Sequence, residues 1–248
     1  GDGVVEQRHL WLLVRCAAAH ALEALPECLG LHDDPGEFDP EHPKIRRLHQ
    51  RFAGMRLART RDVASLLMPI ILGQLVTFRE AAQAFLSLVR RHGEAAPGPY
   101  DLWLRPHPRD LARLDRAHYM AAGALGRQAD TIRAVCQRAR RMDEAVDMDV
   151  EAASRRLQAI SGVGPWTAHS AMVGGMGFAD AVATGDFHLP NVVSWALAGE
   201  PRADDARMLE LLEPFRPHRG RVIRLFLMSG THAPRYGPRH AIRDFSSR

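Results

Sequence analysis

The chain has 248 residues, 46% hydrophobic and 25% charged, which is ordinary globular composition and excludes wholesale disorder. No apolar run approaches the ~20 residues a membrane-crossing helix needs, the longest being Leu66–Leu72 with its neighbours. The net charge of +4 hides an asymmetry: residues 1–43 carry nine acids against Arg8 and Arg15, whereas residues 216–243 carry seven arginines and no acid. That basic end reads either as a phosphate-binding face or as a solvated arginine-rich tail.

The start, Gly1-Asp2-Gly3, has no cationic flank before an apolar core, so no signal peptide is expected. Cys16, Cys28 and Cys136 form no CxxC pair. Their spacing argues for a reducing, cytoplasmic compartment and against a structural zinc or iron–sulfur site. Lys44 is the only lysine in the chain.

In chain order the elements read almost entirely helical. Trp11–Leu25 has few breakers, and Ile45, Leu48 and Phe52 mark one face of a short helix. Asp62 is placed to cap Val63–Leu72, and a further helix runs from Phe78 to Arg91 before Gly93. Glu94–Pro108, with five prolines or glycines, reads as a loop. Short helices follow around Pro108–Leu114 and His118–Leu125. Ile132, Val135, Cys136, Ala139 and Met142 then recur at the spacing of one amphipathic helix. The expectation is an all-α protein.

From Glu151 the pattern sharpens. Helix Ala152–Ile160, the turn Ser161-Gly162-Val163-Gly164-Pro165 and a second helix from Trp166 through Met172 form a helix–turn–helix unit. Two glycines permit a tight turn and clear side chains from a ligand's path. The turn amides and the start of the second helix are suited to a phosphate, with Val163 as the apolar plug. An ordinary helical corner is the plainer alternative. Twenty residues beyond Trp166 stands Asp186, within Thr184-Gly185-Asp186-Phe187-His188-Leu189-Pro190 and ahead of a helix over Asn191–Leu197. Asp186 reads either as a helix cap or as a functional acid.

Hairpin and aspartate loop together resemble the helix-hairpin-helix DNA glycosylase superfamily, and within it the bacterial 3-methyladenine DNA glycosylase II type. Leu29–Pro35, Ile70–Thr77 and Phe215–Arg221 add to the likeness, which spans roughly residues 25–230. The resemblance implies two helical lobes with a DNA-binding cleft: residues 62–181 as the central lobe, 1–61 with 182–248 as the second.

It also implies roles. Asp186 matches the catalytic aspartate that stabilises an oxocarbenium-like sugar and directs water. Trp166 stands where strand-nicking members carry a lysine, so a monofunctional enzyme leaving an abasic site is implied. Trp166 and Phe187 match base-pocket positions, or else pack as core. Ser170 and Leu227 replace further aromatics, so His188 or His169 is expected to contact the base. Gln74 and Leu75 match the turn that fills the gap left by a flipped nucleotide, although a leucine there is more usually core. Gly162, Val163, Gly164, Thr167, Arg219 and Arg221 are candidate phosphate contacts. Carbonyls of Gln158, Ile160 and Val163 are implied ligands for a monovalent Na⁺ or K⁺. No cysteine follows Cys136, which disfavours the iron–sulfur branches. The implied partner is double-stranded DNA holding an alkylated base, bound by a monomer. A non-catalytic DNA-binding module, or a glycosylase for a deaminated or oxidised base, are the alternatives.

Overall fold

The structure, a computed structural model, describes residues 18–36 and 38–234. Cys16, the start of the Trp11–Leu25 stretch, and Arg235, Arg239 and Arg243 lie outside them. Thirteen α-helices make up most of the described residues. They are α1 (Ala18–Cys28), α2 (Pro43–Arg51), α3 (Val63–Leu72), α4 (Phe78–His92), α5 (Pro108–Arg113), α6 (Arg116–Ala121), α7 (Gly126–Gln137), α8 (Ala139–Asp143), α9 (Val150–Gln158), α10 (Pro165–Gly175), α11 (Leu189–Ala198), α12 (Asp205–Leu212) and α13 (Arg219–Met228). The Pro/Gly-rich segment after α4 is more ordered than expected. It closes a short antiparallel hairpin of Glu94–Ala95 against Trp103–Leu104. No helix among the described residues is long and apolar enough to cross a membrane.

Helix starts follow local chemistry. Asp62 accepts the Ser65 amide at the start of α3, and Thr77 with Glu80 forms a reciprocal capping box at the start of α4. The single helix expected through Met142 is instead broken at Arg138 (φ −116°, ψ 21°), dividing it into α7 and α8.

Two apolar cores organise the molecule. The first takes in α3, α4, α7 and α10, with Leu67, Ile71, Leu88, Ile132 and Met172 fully buried. The second joins Phe38 and Ile45 to α11, α12 and α13 through Val193, Met208, Leu212 and Phe226. Nearly every residue of α3 is buried, because it is the central rod of the first core.

Within the described part of the basic C-terminal run, Arg216, Arg219 and Arg221 have acids against them. Arg221 is 1% exposed. Its guanidinium holds Asp33 bidentately at 2.6 and 2.9 Å, a pair spanning 188 residues. Burial pushes the Asp33 carboxyl upward, but Arg221 and the Leu57 amide outweigh it and hold the group below the usual carboxylate range. Arg219 is clamped by Asp180 at 2.9 and 2.7 Å, and Arg216 pairs with Glu213 and Asp180. The expectation that Arg219 and Arg221 reach for phosphate is therefore corrected. Both tie the last helix into the fold.

Asp143 supplies a pH-dependent stability term. Its Oδ1 accepts the Val63 amide at the head of α3 at 3.0 Å. Burial, helped by the nearby Asp62 charge, raises its carboxyl to about 6 despite that hydrogen bond. A raised folded pKa means the folded state binds this proton more tightly than the unfolded chain does. The contribution is complete below pH ~4 and is lost as pH rises through about 6. Asp143→Asn keeps an oxygen for the Val63 amide and removes the charge. It should stabilise the protein by of order 1 kcal/mol at pH 7.5 and by nothing at pH 4, read as melting temperature at both pH values.

Candidate DNA-binding and catalytic site

Apart from Arg219 and Arg221 on α13, the predicted residues lie on or beside three adjoining pieces of chain: the hairpin between α9 and α10, the turn between α3 and α4, and the loop leading into α11. In the hairpin, Val163 is 3% exposed and donates its amide to the Ile160 carbonyl at 3.0 Å, so it is the plug of the turn. Gly162 has φ +90°, and a Cβ there would stand 2.1 Å from Thr131 Oγ1 on α7. Both the backbone conformation and the space require glycine. A Cβ on Gly164 would meet nothing within 4 Å. Gly164 is exposed and is the N-cap residue of α10, a helix start whose unpaired N–H groups favour an anion.

Thr167 is 2% exposed, and its hydroxyl oxygen accepts the Gln74 side-chain amide at 2.8 Å, which fastens the hairpin to the neighbouring turn. One expectation is corrected: His169 does not face the site. Its Nε2 pairs with Ser154 Oγ at 3.1 Å between α9 and α10, and burial lowers its pKa.

The turn between α3 and α4 carries Gln74 and Leu75. Leu75 is 76% exposed and is the only non-glycine among the described residues with positive φ, at 62°. It is not core. An L-residue in this region costs roughly 1–2 kcal/mol, and such strain persists only where the surroundings fix it. Gln74 does part of the fixing, because its side-chain amide donates both to Thr167 and to the Gly162 carbonyl at 2.9 Å.

Asp186 proves to be a helix cap and something more. Its Oδ1 accepts the amides of His188 and Leu189, both at 2.7 Å, at the head of α11. Its Oδ2 accepts the Trp166 indole N–H, also at 2.7 Å. Three N–H donors thus hold the carboxylate in one orientation at the head of α11. Trp166 bridges the pieces: atoms of its side chain lie 4.0 Å from where a Cβ would stand on Gly73 and on Gly185. Trp166 is half-buried against the second core. Phe187 is 81% exposed, edge-on to the exposed His188 with ring centroids 4.9 Å apart, and so is free to stack. Ser170 follows Trp166 by one turn of α10 and is partly exposed.

A groove of about 670 Å³ lies elsewhere, between Phe38, His42, Leu211 and Phe215, and takes in none of these residues. The chemistry gathered around Asp186 outweighs its size. Asp33 lies in the stretch Leu29–Pro35, but its pairing with Arg221 is invisible in the sequence, as are the pairing of Asp180 with Arg219 and the hold of Gln128 on the turn after α3.

No protein-family model and no curated protein matches the chain. Solved structures do. An 8-oxoguanine glycosylase/lyase of Clostridium acetobutylicum, bound to double-stranded DNA containing cytosine opposite 8-oxoG, superposes with a TM-score of 0.70 at 16% identity. The match covers 86% of this chain and 75% of that one. The 3-methyladenine DNA glycosylase of Archaeoglobus fulgidus gives a TM-score of 0.70 at 20% identity, covering 84% and 73%. The Schizosaccharomyces pombe 3-methyladenine DNA glycosylase, in complex with abasic DNA, gives 0.59 at 17%, covering 84% and 97%. The chain has the fold these glycosylases share.

Proposed function

We propose that this protein is a monofunctional DNA glycosylase, which extrudes an alkylated purine from duplex DNA and hydrolyses its N-glycosidic bond to leave an abasic site. The observation that carries the reading is the fixed carboxylate of Asp186, joined through Trp166 to both the hairpin and the exposed Leu75 turn. A plain capping aspartate has no need of an indole on its second oxygen.

The chemistry follows from the residues. The hairpin amides at Gly162 and Gly164 receive a backbone phosphate next to the extruded nucleotide. Leu75 enters the duplex and replaces the stacking that is lost. The carboxylate of Asp186, aimed and charged, stabilises the cationic sugar as the bond to the base lengthens and orients the attacking water. An alkylated purine that already carries positive charge leaves without a second acid. The exposed Phe187 ring and the face of Trp166 receive such a base by stacking and cation–π attraction, worth ~1–2 kcal/mol when desolvated. In the hairpin, the carbonyls of Gln158, Ile160 and Val163 are the groups that would hold a monovalent cation. Ile160 already accepts the Val163 amide and keeps one lone pair for it.

Trp166 stands where the resemblance puts the lysine of strand-nicking members, and Lys44, the only lysine in the sequence, lies on α2. On duplex DNA holding a methylated purine, the protein should leave the strand intact until alkali is added. Borohydride should trap no covalent adduct on a denaturing gel. A trapped adduct, or cleavage without alkali, would refute the monofunctional assignment.

A further inference from the structure

Gln128 is 2% exposed, and a buried amide is costly unless its polar atoms are satisfied. Its Oε1 accepts the Leu125 amide at 2.8 Å. Its Nε2 donates to two carbonyls at the end of α3, Leu72 at 3.0 Å and Gln74 at 2.9 Å. The Leu72 carbonyl is one a helix end leaves without an intrahelical partner, and the Gln74 carbonyl lies in the turn just beyond it. Gln74, gripped by its carbonyl from α7, reaches with its own side chain to the hairpin at Gly162 and Thr167. Thr131, one turn beyond Gln128 on the same helix, is the residue against which Gly162 packs. One face of α7 therefore supports both the hairpin and the turn that carries the strained, exposed Leu75.

We propose that Gln128 is a positioning residue for nucleotide extrusion: its side-chain amide locks the turn after α3 so that Leu75 stands preformed, in fixed register with the hairpin, to fill the gap an extruded nucleotide leaves. This rests on the glycosylase reading above. Preforming the wedge removes the ordering cost that a loose loop would incur on binding. It also explains how a leucine is kept at φ 62°, since the residue before it is held at its carbonyl and at its side chain.

The test compares a lesion in a fully paired duplex with the same lesion opposite an abasic site, where no partner base opposes extrusion. Gln128→Met keeps the volume and removes both donors. Fluorescence of 2-aminopurine beside the lesion reads extrusion without requiring chemistry. The variant should lose about tenfold of the extrusion equilibrium on the paired duplex, the scale of one to two hydrogen bonds, and little on the opened one. Equal losses on both duplexes, corrected for folded fraction, would reduce Gln128 to a structural core residue and overturn the proposal. If Gln128→Met does not fold, Gln74→Leu leaves the Gln128 bonds in place but cuts the second hold on the turn, its side-chain link to Gly162 and Thr167, at a partly exposed position; a loss confined to the paired duplex supports the preformed wedge, and equal losses on both overturn it. Wild-type protein that extrudes the nucleotide yet releases no base would sink the glycosylase reading alone and leave this comparison decisive.

Discussion

Asp186→Asn should lower base excision by at least about 100-fold while the protein still binds DNA, the scale of losing one electrostatic stabiliser of a charged transition state. The substitution is nearly isosteric, and its amide oxygen can still accept the His188 and Leu189 amides at the head of α11. At the other oxygen it is less innocent. There an NH₂ would face the Trp166 indole N–H, two donors with no acceptor between them. The lost hydrogen bond should cost about 1–3 kcal/mol of stability, so excision must be compared per folded molecule. Trp166→Phe provides the control, because it removes the same hydrogen bond and leaves the charge. If the charge matters, the Phe variant retains far more excision than the Asn variant. If Asp186 were a cap alone, the two would lose activity alike.

Gly164→Asp should abolish measurable DNA binding at physiological salt and leave the melting temperature nearly unchanged. The position has open space around it and an extended backbone that any residue adopts, so the fold tolerates a side chain. The new carboxylate would project where the hairpin amides and the start of α10 receive a phosphate. The same change at Gly162 would be uninterpretable, since φ +90° and the Thr131 side chain forbid it on folding grounds. Wild-type affinity should itself fall steeply with salt, as contacts to several phosphates require. A fluorescence-anisotropy titration over a salt series checks both, and unchanged affinity for the aspartate variant would remove the hairpin from the DNA interface.

How much of this was legible in the sequence depends on how far apart the interacting residues stand. Local signals worked: Asp62 marks a helix start, and two glycines around Val163 announce the hairpin. Asp186 was readable as a cap or as an acid but not as both, because its second partner, the Trp166 indole, stands twenty residues away. Leu75 was ambiguous for a similar reason. Only its exposure and left-handed backbone separate a wedge from a core leucine, and neither is encoded in residue type. Arg219 and Arg221 read as free cations because charge counted along the chain ignores partners across it. Asp33 neutralises Arg221 over 188 positions. Gln128 gave no signal at all, since its meaning lies in the carbonyls of Leu72 and Gln74 and not in its neighbours.

The most direct test of the central claim is mass detection of the free base. Purified protein would be incubated with duplex DNA carrying a single methylated purine. The account predicts released methylpurine in amounts equal to the abasic sites that alkali later reveals, and its loss with Asp186→Asn. A protein that binds this duplex tightly, with Asp186 intact, and yet releases no base from it would contradict the account.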